Sequence, residues 1–466
     1  MLTFQDFEKT DDLKGFIIQA INEHKSSEEY DIAMDADLYD HQRNSTINDY
    51  LNIMYTMSGG AVEDFTAANS KIASNFFHRL NVQRNTYLLG NGVMFKGGDS
   101  TKEKLGKNFD QSMKEGGYLA QIHGVSYGFW NVDKLHFFPL TEFKALPDER
   151  TSTIRAGIRF WQLDESKPLI AVLYEEDGYT RFEQSDEDHD LEMVEGKKPY
   201  RFTIQKTEFA GEEVIDTSNY SSLPIIPLYG SRLKQSTLVG MKRAIDSYDL
   251  IRSGFANDLT DVSQIYWLIE NASGMDDDDL QQFRDRLKLT HIGTVDTGDG
   301  TKVTPYTQDI PYQARKQYLD DIRSELYEGF GALDVHAVAA GATNDHIDAA
   351  YQPMDEEADD FEFQVTTFIK QLLELIGIDD EPLYKRNRIS NMTEQTNMIL
   401  SASEYLDQET VLNKLPFVTV DEVKEILKRR DAEDMDRFNA NLSGSESIPQ
   451  KDEEEPEEDD ESSENG

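Results

Sequence analysis

The chain has 466 residues, 46 Lys plus Arg against 90 Asp plus Glu, and a formal net charge of −44. That length calls for about two to four folded pieces rather than one core, and so acidic a surface excludes a protein that gains affinity by neutralising nucleic-acid phosphates. The absence of Cys excludes disulfides, thiolate metal sites and a cysteine nucleophile, which fits a reducing compartment.

The opening Met1-Leu-Thr-Phe-Gln-Asp-Phe-Glu8 has neither the basic nor the apolar region of a secretory leader, so none is expected. No apolar run approaches membrane-spanning length, and no membrane partner is expected. Residues 1–130 read as mostly helical. Ile72, Phe76, Leu80 and Tyr87 fall near one face of a helix over Asn69–Leu89, which Gly90-Asn-Gly92 stops. From Gly124 to Thr217 the signals turn to strand. Ile158–Leu163 and Leu169–Tyr174 are short apolar or alternating runs, with turn chemistry at Glu176-Asp-Gly178 and Ser185–Asp188. The predicted fold class is α+β, predominantly helical, with a meandering antiparallel sheet.

After Leu223-Pro-Ile-Ile-Pro-Leu-Tyr229 long helices take over. Met241, Ile245, Tyr248, Ile251, Phe255, Leu259 and Val262 recur at helical steps, and Lys242, Arg243, Asp246, Asp249, Arg252 and Asp258 fall on the polar face. A small mixed insert follows: Ile265–Ile269, a helix over Asp277–Leu289, then Gly293–Val303 with Asp299-Gly300 as a hairpin turn. A second helix opens after Pro311, with Leu319, Ile322, Leu326 and Phe330 on one side. The small-residue loop Gly331–Ala342 then leads to the longest helix, capped by Thr343 or Asn344. Its stripe is Ile347, Tyr351, Met354, Ala358, Phe361, Val365, Phe368, Leu372 and Leu375, and it ends at Gly377. A helix over 344–376 reaches roughly 50 Å, and Pro353 should kink it. Its flank Asp355, Glu356, Glu357, Asp359, Asp360 and Glu362 reads as a solvated acidic strip. Met392–Tyr405 reads as one helix, Asp407 as the cap of a short second, and Thr419–Glu422 as a capping box opening a third through Arg430. From Gly444 onward eleven acids oppose only Lys451, giving a tail of net −10 that is expected to be disordered and leaves −34 on the rest.

Chemistry is harder to find. There is no phosphate-binding Walker loop, no dinucleotide fingerprint, no nucleophile elbow and no H-E-x-x-H. Asp296-Thr-Gly298 matches the aspartic-protease tripeptide, but it occurs once and a dyad needs two such carboxylates. A turn is the simpler reading. His336 and His346 flank the small-residue loop without a helical ligand spacing. Asp276–Asp279 lacks the alternation of a calcium loop and suits capping of the helix after it. Nothing specifies an enzyme, a metal or a cofactor.

The order of pieces, with the wording of several segments, resembles the portal proteins of tailed double-stranded DNA bacteriophages, in the siphophage-type branch. The phrases that carry it are Asn75-Phe-Phe-His…Tyr87-Leu-Leu-Gly-Asn-Gly-Val-Met-Phe95, Gly124-Val-Ser-Tyr-Gly-Phe129 and Leu223–Tyr229. They continue through Ile245-Asp-Ser-Tyr-Asp249, Phe255-Ala-Asn-Asp-Leu259, Thr343-Asn-Asp-His-Ile347, Tyr351-Gln-Pro-Met-Asp355 and Glu404–Pro416. The resemblance implies a non-enzymatic ring, usually of twelve subunits, at one capsid vertex, serving genome packaging, head–tail joining and DNA ejection. It implies a wing over 1–230 and a stem of 231–263 and 311–330. It further implies a clip over 264–310, a tunnel loop over 331–342, a long kinked wing helix over 343–377, a crown over 378–440 and an acidic tail over 441–466. Leu333, Asp334, Val335, His336, Ala337 and Val338 then match the tunnel loop, and Tyr266, Trp267, Asp296 and Asp299 belong to the docking clip.

Implied partners are the terminase large subunit, a head-completion or adaptor protein, the major capsid and scaffolding proteins, and double-stranded DNA that passes without tight binding. Localisation would be the virion, with assembly in the host cytoplasm. Asp246 and Asp320 are candidate channel acids that would repel sliding phosphates. Two other readings compete. One is an acidic cytosolic scaffold that self-associates through the long helix; the other is a dimeric hydrolase built on Asp296.

Overall fold

The computed structural model describes residues 2–55, 60–64, 68–164, 166–185, 189–207, 211–262, 266–270, 278, 302–306, 311–335, 344–388, 392–415, 418, 422–423, 425–430, 432 and 435. The chain divides into two compact units, 1–337 with 350–388, and 338–349 with 389–466.

The first unit opens with α1 (Phe4–Lys9), α2 (Leu13–Lys25), α3 (Glu28–Asp40) and α4 (Ser45–Asn48). Side-chain caps set the starts of the first three. Thr3 and Asp6 form a reciprocal capping box on α1, Asp12 accepts from Gly15 N, and Ser27 accepts from Tyr30 N. A small hairpin, β1 (Ile53–Tyr55) with β2 (Ala61–Glu63), precedes α5 (Phe76–Leu89), β3 (Val93–Phe95), α6 (Asp99–Leu105) and α7 (Phe109–His123).

The strands follow as the alternation predicts. They are β4 (Val125–Asn131), β5 (Lys134–Pro139), β6 (Phe143–Pro147), β7 (Ile154–Trp161), β8 (Leu169–Glu175), β9 (Gly178–Gln184) and β10 (Glu192–Lys198). Then come β11 (Arg201–Thr207), β12 (Gly211–Ser218) and β13 (Ile225–Tyr229). Strands β6 to β10 form a five-stranded antiparallel meander, and β13-β4-β5 form a three-stranded sheet. Glu175 pairs with Gly178, so Glu176-Asp177 is a two-residue hairpin loop as its turn chemistry suggested.

The remaining elements of this unit are α8 (Leu238–Val262), β14 (Tyr266–Glu270), β15 (Lys302–Tyr306), α9 (Tyr312–Phe330), α10 (Asn344–Ile376, whose first turn belongs to the second unit) and β16 (Pro382–Tyr384). Three cores hold them. Phe16, Ile17 and Ile21 of α2 pack on Ile158, Leu173 and Phe182 of the meander. Phe361, Val365, Phe368 and Leu372 of α10 pack with Trp130, Phe138 and Leu228 of the three-stranded sheet. Phe76, Phe77 and Leu80 of α5 pack with Met241 and Ile245 of α8 and Ile322 and Phe330 of α9.

In the second unit, α11 (Met392–Ser401) is continued by a turn of 3-10 helix over Ala402–Glu404, and α12 (Gln408–Lys414) starts at the predicted Asp407 cap.

Several expectations change. The helix predicted from Asn69 begins only at Phe76. Before it, the backbone N–H groups of Ser70, Ile72 and Ser74 donate to Asn257 Oδ1 (2.6 Å), Ser253 Oγ (3.0 Å) and Asp249 Oδ1 (2.9 Å) on α8. Two residues of extended chain and four of helix advance nearly the same distance, roughly 6.6 and 6.0 Å. A strap with polar groups every second residue therefore matches a helix with polar side chains every fourth, and it replaces a helical turn.

Asp249, placed by its spacing on the polar face, is fully buried as the anchor of that strap. Helix α11 stops at Ser401 rather than Tyr405. Residues 378–388 belong to the first unit, because β16 pairs with β3, Pro382 opposite Phe95 and Tyr384 opposite Val93. The predicted helix over Asp277–Leu289, the Asp299-Gly300 turn, Thr419–Asp421 of the capping box and the acidic tail lie outside the described residues, apart from Asp278.

Candidate conduit elements

Helices α8 and α9 run antiparallel. Ser247 Oγ meets Tyr318 Oη at 3.3 Å, the Phe255 and Tyr312 rings lie 5.8 Å apart, and Arg315 pairs with Asp258. The pairing continues beyond the helices as a two-stranded ladder, Tyr266 opposite Tyr306 through Glu270 opposite Lys302. The backbones of Tyr266 and Trp267 are therefore part of one hairpin that extends from the helix pair. Asp296 and Asp299 lie outside the described residues.

The C-terminus of α9 is fixed against α10 at Pro353 and Glu357. Arg84, buried on α5, donates from Nη2 to the Phe330 carbonyl (2.6 Å), pairs with Glu357 (3.0 Å) and lies over the Phe330 ring at 4.0 Å. Burial pulls its guanidinium below the usual range although Glu357 opposes the shift. Gly331 follows with φ +65°, and a Cβ there would sit 2.7 Å from Glu357 Cγ and 3.0 Å from the Pro353 carbonyl oxygen. Only a glycine gives both the left-handed backbone and that approach. Pro353 lies inside α10 as predicted.

Beyond it the loop starts under control. Gln83 Nε2 donates to the Leu333 carbonyl (3.0 Å), and Arg323 Nη2 donates to both Asp334 oxygens (3.0 and 3.1 Å). Leu333 is buried and Val335 exposed. His336, Ala337 and Val338 lie outside the described residues.

The candidate acids part company. Asp320 is exposed on α9. Asp246 is held within the chain: Thr46 Oγ1 (2.8 Å) and Lys242 Nζ (3.0 Å) donate to its Oδ2, and the Tyr39 hydroxyl donates to its Oδ1. Burial works against the Lys242 charge, but its bonds to Tyr39 and Asp246 outweigh it and raise its pKa. Helices α8 and α9 each carry three Lys or Arg against four Asp or Glu, so the chain's acid is not concentrated in this pair. Lys242, Arg315 and Arg323 are spent on Asp246, Asp258 and Asp334. Asp320, Asp321, Glu325 and Glu328 are exposed on α9, with Lys316 among them.

The acidic strip of α10 is not a freely solvated face. Arg386 donates to Asp355 Oδ1 (2.7 Å), to Glu362 (3.2 Å) and to Asp359, while Arg388 donates to Asp355 Oδ2. The Tyr87 hydroxyl donates to Asp355 Oδ1 (2.5 Å) and accepts from Arg388 Nε (2.8 Å). Burial alone would raise the Asp355 pKa, but the bonds from Tyr87, Arg388 and Arg386 hold it below the ordinary carboxylate value. Burial and the neighbouring carboxylate push the Tyr87 hydroxyl up to about 12. The sequence pattern places Tyr87 only on an apolar helix face and does not single out Arg84, Arg386 or Arg388. The available signal was Arg386-Asn-Arg388, two guanidinium groups together in a strongly acidic chain. Among the described residues no His or carboxylate cluster is arranged to hold a metal ion.

The described elements combine a mixed α/β body, a long antiparallel helix pair and a 33-residue helix that contains Pro353. The family described as "Phage portal protein, SPP1 Gp6-like" matches residues 18–436, and the chain belongs to that family. The portal protein of Clostridium phage phiCD119 is 27% identical over 226 residues, 47% of this chain and half of that protein. The portal protein of Bacillus phage SPP1 is 24% identical over 397 residues, 78% of this chain and 76% of that protein. A chain in the neck of a native GTA particle, computed with C12 symmetry, has a TM-score of 0.40 at 9% identity, covering 73% of this chain and 89% of that one.

Proposed function

We propose that this portal protein is the subunit of a closed ring of twelve copies at one capsid vertex, through which double-stranded DNA is packaged and later leaves. In this reading the α8–α9 pair is the stem, the ladder at its end belongs to the clip, and the loop from Gly331 onward is the tunnel loop. The terminase large subunit and a head-completion protein dock on the clip, and the capsid and scaffolding proteins surround the wing. The observation that carries the reading is the single antiparallel hairpin, helix pair followed by strand pair, that extends from the mixed body.

The mechanism is one of non-adhesion. Exposed acids on α9 repel phosphates over about a Debye length, ~8 Å at physiological salt, and Arg315 and Arg323 beside them are tied to carboxylates of their own chain. Repulsion thus rests on which charges face outward, not on the net charge of the stem. Asp320 and Asp321 are the groups to reverse. In phage carrying Asp320→Lys with Asp321→Lys, the DNA packaged per head should fall and DNA-bound intermediates should accumulate. Packaging at the wild-type level would count against an electrostatic bore.

A further inference from the structure

The two units are joined where the chain passes 337/338, 349/350 and 388/389. The last two of these crossings leave the first unit beside a single cluster. Tyr351, two residues into that unit, stacks on Tyr87 with ring centres 5.6 Å apart and planes 14° from parallel. Arg388, the last residue of the unit, lies 5.5 Å from the Tyr351 ring, within cation–π range. Arg388 also bonds Tyr87 Oη and Asp355, one turn further along the same helix. Two hydrogen bonds bring the strand end to this place: Asn387 N donates to the Tyr87 carbonyl (2.9 Å), and Asn91 Nδ2 donates to the Lys385 carbonyl (2.8 Å).

We infer that Tyr87, Tyr351, Asp355 and Arg388 form a shared lock, so that order at the start of α10 and order at the start of the C-terminal helices rise and fall together. Each crossing alone would fray by local opening, with its own low free energy. Because one carboxylate and one phenol serve both, releasing either crossing removes partners from the other, and the two behave as one cooperative unit. The start of α10 at 344–349, which follows the loop assigned to the channel, then opens together with the start of α11. That consequence for the channel rests on the portal reading, whereas the coupling itself does not.

The test is amide hydrogen exchange on the full-length assembled protein. Arg388→Gln removes charge-assisted bonds that serve both crossings, so exchange should rise roughly tenfold or more in 344–350 and in 392–401 together. Tyr87→Phe deletes one hydroxyl and keeps the ring, so the same two stretches should rise together by less. Asp380→Asn is the control. Asp380, in the 378–388 segment that ends at Arg388, accepts from Gly97 N (2.9 Å) and Thr101 Oγ1 (2.6 Å), away from the cluster. It should leave 344–350 at the wild-type rate. A rise on one side only, no rise in Arg388→Gln, or an equal rise in Asp380→Asn would overturn the lock. The readout is independent of ring number and of DNA transport, so failure of the portal reading would not be mistaken for failure of the lock.

Discussion

Helices α8 and α10 carry the same kind of apolar stripe and meet different fates. From Tyr351 to Leu375 every stripe position of α10 is buried, with Val365 and Leu372 at 0% exposure. On α8 the stripe is buried at Met241 and Ile245, half-buried through Tyr248, Ile251 and Phe255, and 55% exposed at Leu259. Tyr312 and Tyr318 on the partner helix are also exposed, at 55% and 48%. Periodicity reports which residues share a face, and it does not report what covers that face. The α10 stripe is satisfied inside the chain, whereas the far end of the helix pair presents apolar surface of the sort a neighbouring subunit would bury.

The sharpest break of that comparison is a matched pair of truncations. Phe361→Ala opens a cavity in a closed core and should cost about 3–5 kcal/mol of subunit stability. Leu259→Ala should change subunit stability by less than about 0.5 kcal/mol while slowing ring formation. Urea melts and native mass spectra read the two effects separately. Equal destabilisation by both would mean that α8 is covered within the chain after all.

Next in size is Asp249, the buried anchor of the strap on α8. Burial raises its pKa against the opposing bonds from Ser74 and Asn44. Asp249→Ala strands the Ser74 N–H and the Asn44 amide and should cost about 1–3 kcal/mol. Proteolysis of the variant should begin in the strap at 68–75; cleavage elsewhere first would argue against its anchoring role.

The smallest effect concerns the acidic face of α10. The Asp355 pKa is depressed in the folded chain, so its bonds stabilise fully above the ordinary value of 3.8 and are lost as pH falls through the folded value below it. The gap in melting temperature between wild type and Asp355→Asn should therefore be widest near neutral pH and close below pH 3.8. A gap that widens in acid contradicts the clasp.

How much of this was legible in the sequence depended on whether a pattern is local. The meander, helices α8 and α9, the Asp407 cap and the whole α10 stripe follow from spacing that repeats every two to four residues. The strap before Phe76 was misread as helix because Ile72 and Phe76 keep helical spacing, while the decisive partners lie on α8, far along the chain. Asp249 was misplaced for the same reason. The acidic strip of α10 read as solvated because Arg386 and Arg388 approach it from a strand that pairs with β3. Charge arithmetic misled most. The net charge of −44 suggested an acidic bore, yet α8 and α9 are close to neutral, each with three Lys or Arg against four Asp or Glu.

Negative-stain imaging of the purified chain, with its native mass taken in parallel, tests the central claim most directly. The portal reading predicts closed rings with an open centre and a mass about twelve times the 53.3 kDa of one chain. A stable monomer or a two-fold dimer at micromolar concentration would contradict it.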